Sequence, residues 1–144
     1  MTKTTFYRIV VKKRQQRSKI YTYPVGKLLF DVDDAIKIVD STTSAFIPYG
    51  GIDKSGNKIK SIIYPASSLS TADYYVRKAD ISVNDKWQAT VAAYPINVEN
   101  NHYEYRTVSI HDFCNTFVIS IATTDIAVLN SLDEALMFID WFMM

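Results

Sequence analysis

Apolar and polar positions along this chain alternate with two periods, and the changes of period outline its elements. "TFYRIVVKK" (5–13) and "SKIYTYPV" (18–25) are rich in aromatic and β-branched residues and predict two strands, with "RQQR" as the polar turn between them. From Asp31 the apolar spacing becomes three and four, so "DVDDAIKIVDS" predicts a helix over about 31–42. Asp31 caps it, and Asp34 at the third helical position makes a variant of the capping box. "AFIPYG" and "KIKSIIYP" predict two further strands, joined by "GIDKSGNK", where Ser55-Gly56-Asn57 supplies turn chemistry. "PASSLSTAD" (65–73) is a small-residue connection, expected to be a mobile loop or internal boundary.

Strand patterning resumes in "YYVRKADISV", "KWQATVAAYPI" and "YEYRTVSI". Asn84-Asp85 turns the first pair, and "NVENNH" is a polar loop before the third. "TFVISIATT" is nearly all apolar, which predicts a central strand buried on both faces. The last helical pattern, "SLDEALMFIDWFMM", spans about 131–143 and opens with Ser131 and Glu134 as a capping box. Runs of strands interrupted by two helices predict an α+β fold, a single domain over 1–144. Its mainly antiparallel or mixed sheet of about seven strands carries both helices packed on it.

The two helices echo each other. "VDDAIKIVD" (32–40) matches "LDEALMFID" (132–140) in chemical type, and a weak internal duplication pairing helices 31–41 and 131–141 is one reading. On a helical wheel Val32, Ala35, Ile36 and Val39 form one core face; Leu132, Ala135, Leu136, Ile139 and Met143 form the other. The opposite face of the first helix is ordinary, with Asp33, Lys37 and Asp40. That of the last helix sets Met137, Trp141 and Met144 among Asp133, Glu134 and Asp140. Large apolar groups among acids on an outer face predict a protein-docking surface; burial of the whole helix by the rest of the chain is the alternative.

Composition changes this picture little. Hydrophobic residues make up 48% and charged residues 22% of 144, an ordinary globular balance. One cysteine rules out an internal disulfide framework. No signal peptide or membrane span is expected, and a cytoplasmic setting follows by default.

Charge adds more. The net charge of +1 conceals eight Lys/Arg and no acid in residues 1–30, and no Lys or Arg after Arg106. In the first hairpin a four-residue turn over Arg14–Arg17 would set Val10 opposite Tyr21. One face then carries Phe6, Arg8, Val10, Lys12, Lys19, Tyr21 and Tyr23. Rings interleaved with cations suit base stacking and phosphate contact, so this face, with Lys13, Arg14 and Arg17 at the turn, is a nucleic-acid-binding candidate.

Catalytic chemistry has little support. No glycine-rich phosphate loop occurs, and one Cys with two His cannot complete a usual zinc set, so neither cofactor nor metal is expected. "SIHDFCN" brings His111, Asp112 and Cys114 close in sequence. On a strand, however, His111 and Cys114 point to opposite faces. The expectation is a non-enzymatic binding module acting on a protein partner, of the kind that phages and mobile elements use as accessories or inhibitors. Nucleic-acid binding through the hairpin is the second reading, and a small-molecule pocket or motif-free enzyme the third. A homo-oligomer joining basic arm to acidic helix also fits.

Overall fold

The computed structural model describes residues 3–14, 20–47, 49–67 and 74–143. Element order is β1 (Thr4–Arg14), β2 (Ile20–Pro24), α1 (Val32–Phe46), a 3-10 turn (Tyr49–Gly51), β3 (Ile59–Tyr64) and β4 (Arg77–Val83). Then follow β5 (Lys86–Glu99), β6 (His102–Tyr105), β7 (Val108–Phe113), β8 (Thr116–Ile121), β9 (Thr124–Leu129) and α2 (Leu132–Phe142). All pairings among these nine strands are antiparallel, in the order β2-β1-β5-β6-β7-β8-β9, with β4 and then β3 branching from β5. The α+β class and the two helices agree with the sequence pattern.

Strand β5 is the spine. One edge pairs with β1 from Thr4↔Val98 to Lys13↔Ala89. The other pairs with β4 up to Arg77↔Ala93, then with β6 from Ile96↔Tyr105. Pro95 stands where the partner changes. Tyr7 exchanges both of its backbone hydrogen bonds with Phe30 at 2.8 Å, so its amide points away from β5 and Tyr7↔Pro95 is a non-hydrogen-bonded pair. The missing N–H of Pro95 therefore falls in the gap between β4 and β6, where no donor is required.

The β1–β5 pair is buried on both faces. Ile9, Val11, Ala89, Val91 and Ala93 pack with Ala79, Ile81 and the α1 residues Ala35 and Val39. Val10, Ala92, Tyr94 and Ile96 pack on the other side with Tyr105, Ile110, Phe117, Ile119 and the α2 residues Ala135, Leu136 and Ile139. That is why "IVV" and "TVAA" run apolar without alternation.

Several elements differ from the sequence-based expectation. Ala45 and Phe46 end α1 rather than start a strand, and Tyr49–Gly51 is a 3-10 turn. Within the helix's Ser/Thr segment Thr43 and Ser44 satisfy their hydroxyls by donating back to the Val39 and Asp40 carbonyls. Buried Thr43 and partly buried Phe46 pack toward the α1-side core. The helix stops at Ile47, held extended ahead of Pro48. Val32 is exposed and Ile36 only partly buried, so the α1 core face is Ala35, Val39 and Thr43. "NVENNH" gives its first three residues to the end of β5 and His102 to β6, with only Asn100-Asn101 left as turn.

"YEYRTVSI" is two strands, split at Arg106-Thr107, and the segment after Ile121 turns at Ala122-Thr123 into β9. Both turns have two consecutive positive φ angles, as do Asn84-Asp85 and Cys114-Asn115, which is the requirement of type I′ hairpins. β8 lies inside the sheet but buries one face well: Phe117 and Ile119 are buried, Val118 half-buried. Of the "PASSLSTAD" connection, 68–73 lie outside the described residues.

No helix among the described residues is long and apolar enough to cross a membrane. The two echoing helices sit on opposite faces of the sheet, each burying its matching alanine, Ala35 or Ala135.

Candidate protein-docking surface

α2 begins at Ser131, whose hydroxyl accepts from the Glu134 N–H at 3.1 Å, while Glu134 accepts from the Asn130 N–H at 3.3 Å. Ala135, Leu136 and Ile139 then face the core. Asp133, Glu134, Met137 and Trp141 face outward, joined by Phe142, and Trp141 is 63% exposed. Phe138 packs against Trp141 and Phe142 with ring centroids 6.0 and 6.2 Å away.

Asp140 departs from the outer-face expectation. It is 3% exposed and takes the Arg8 Nε–H on Oδ2 at 3.0 Å. The Tyr105 hydroxyl donates to its Oδ1, and the Arg106 guanidinium lies 3.9 Å from the same oxygen. Burial pushes the Asp140 carboxyl up, while Arg8 and the Tyr105 hydroxyl pull it back. Burial beside this carboxylate also pushes the Tyr105 phenol well above its ordinary value, keeping it a donor. The reason for the inward turn is angular. Asp140 follows Ile139 and lies 400° on from Leu136, close enough to the core face for a charge waiting on β1 to draw it in.

Arg8 is likewise moved out of the proposed nucleic-acid face, being 1% exposed beneath α2. The hairpin register also differs. Val10 pairs with Pro24, Val11 with Tyr23 and Lys13 with Tyr21, rather than Val10 with Tyr21. Proline explains the difference. The Val25 N–H bonds the Ile9 carbonyl at 2.9 Å, so odd-numbered β1 residues aim their amides at β2. The expected register would set Pro24 opposite Tyr7 and demand an N–H that proline lacks. The observed one turns Pro24 outward.

Tyr21 and Tyr23 consequently share a face with Lys13, opposite to that of Phe6, Arg8 and Lys12. Lys13 lies 5.0 Å from the Phe46 ring and 6.0 Å from that of Tyr23. Phe6 and Lys12 are partly buried and Arg14 is exposed. Arg17, Lys19 and Met144 lie outside the described residues.

The structure brings β2 beside α2. Ile20, Tyr21, Thr22 and Pro24 on one side and Met137, Asp140 and Trp141 on the other line a groove of about 300 Å³. Ile20 and Phe142 belong to this surface but escape sequence reasoning. The assumed register placed Ile20 in the core, and only the outward aim of Pro24 could have corrected it.

His111 stacks on His102 at 4.6 Å across β6 and β7, and Cys114 sits exposed at positive φ in the β7–β8 turn. Among the described residues no group of three or more His, Cys, Asp or Glu is placed to hold a metal. No protein-family model, curated protein or solved structure matches the chain.

Proposed function

We propose that this protein is a binding module whose partner is another protein, gripped at the α2–β2 surface. One observation carries the reading: Met137 and Trp141 stand exposed on a capped, core-anchored helix, across a groove from the exposed Ile20. Rigid aromatic and thioether side chains bordering a groove are what protein interfaces use as anchors. The acids on this face, Asp133 and Glu134, fit a partner that presents an apolar side chain flanked by basic groups. Homo-oligomer formation through the same face is a version of this reading that sedimentation would detect.

The test is affinity capture from the native cell with wild type and Trp141→Asp, each with and without nuclease. A partner retained through nuclease treatment by wild type and lost by a normally melting Trp141→Asp protein is the expected result. Identical capture by both proteins would sink the proposal. Loss on nuclease treatment would favour nucleic acid instead.

A further inference from the structure

The sheet leaves three strand edges unpaired among the described residues: β2, β3 and β9. An open edge is a row of N–H and C=O groups ready to take another strand, and stable proteins usually blunt it. β2 is short, ends in the outward Pro24 and faces the α2 groove. β3 is flanked by Lys58 and Pro65 and carries Lys60. β9, "TDIAVL", contains no Lys, Arg, Pro or Gly. Its protective features are the charge of Asp125 and a bulge opposite Ile119 and Ser120, which leave Ala127–Leu129 regular.

Backbone polarity can be followed to this edge. The Cys114-Asn115 turn closes on Phe113↔Thr116, so alternation makes His111↔Val118 the next hydrogen-bonded pair along. The Asp112 N–H, which bonds the Asn101 carbonyl at 2.8 Å on the β6 side, agrees with this phase. The Val118 amide therefore points to β7. Val128, opposite Val118 in β9, has its own N–H and C=O on the open side. Val128 is 62% exposed, and Phe113, on the same sheet face two strands away, is exposed too.

Charge names the occupant. Exposed Asp125 stands at one end of this edge and exposed Asp133 and Glu134 just past the other, with no Lys or Arg after Arg106 to offset them. From Asp125 to Asn130 the strand advances about 17 Å. We propose that the β9 edge accepts, by strand addition, an extended segment of a partner protein with β-branched residues between two basic residues about five positions apart. This surface shares the acids Asp133 and Glu134 with the outer face of α2 but none of the groove residues Ile20, Met137 or Trp141, so Trp141→Asp tells the two proposals apart.

The probe is a fluorescent hexapeptide, Lys-Val-Thr-Ile-Thr-Lys, followed by polarisation at low salt. It is compared with Glu-Val-Thr-Ile-Thr-Glu and with Lys-Val-Pro-Pro-Thr-Lys, in which two successive prolines remove an edge-facing donor in either register. Saturable binding at least tenfold tighter than either control is expected, weakening with salt. Val128→Lys and Asp133→Lys should each weaken it at least tenfold with unchanged melting, while Trp141→Asp should leave it intact. Equal binding of the proline peptide rules out strand addition, and equal binding of the acidic peptide rules out the charge assignment. No saturable binding, or equal binding by both Lys variants, overturns the proposal.

Discussion

Arg8 and Asp140 lie 132 positions apart in sequence, yet their charged groups meet at 3.0 Å under α2. Such a pair gains Coulomb energy in a poorly screened site and loses the hydration of both ions, so its net contribution is small. Breaking it is another matter. Asp140→Ala strands Arg8, whose two terminal nitrogens make no hydrogen bond among the described residues, and removes the carboxylate 3.9 Å from Arg106. The expected loss is about 3–5 kcal/mol, measured by urea unfolding. The double variant Arg8→Met/Asp140→Leu should recover only the share due to Arg8, because the buried Tyr105 hydroxyl and Arg106 still lack the carboxylate. Each residue is conspicuous in the sequence as a charge inside an apolar pattern. Nothing local to either one says that the other answers it.

At the scale of elements, turn chemistry separates what was legible from what was not. Asn84-Asp85 announces its hairpin because both residues tolerate positive φ. Arg106-Thr107 and Ala122-Thr123 adopt the same geometry with residues that do not advertise it, so adjacent strands read as one. A β-branched residue at positive φ is costly. Thr123→Gly should therefore stabilise the protein by about 1 kcal/mol, seen as a higher urea midpoint at unchanged slope. Lower stability would mean that the threonine makes a compensating contact. The helices were legible down to their caps, since Asp31 and Ser131 act within their own first turns. The first hairpin's partners were legible too, but not its register, which Pro24 settles through where its missing donor points.

For the whole molecule, two apolar clusters share one pair of strands. β1 and β5 give alternate residues to the α1 side and the α2 side, so neither cluster can dissolve without exposing the back of the other. The protein should accordingly unfold as one unit. The two tryptophans can check this, with Trp87 on β5 and Trp141 on α2. In Trp141→Phe and Trp87→Phe proteins the remaining fluorophore should report the same urea transition as far-UV dichroism. An earlier transition from Trp141 alone would show α2 melting first and would weaken any role for it as a rigid docking element.

Periodicity, caps and apolar runs specify the α+β class, both helices and most strands, because they act between residues a few positions apart. They also single out Met137 and Trp141 as large apolar groups off the α2 core face, which the fold leaves exposed. The inward turn of Asp140, the neighbourhood of β2 and α2, and the open edge of β9 come from the tertiary arrangement. Each depends on which distant charge, strand or amide stands opposite, and that is a property of the assembled sheet rather than of any stretch of chain.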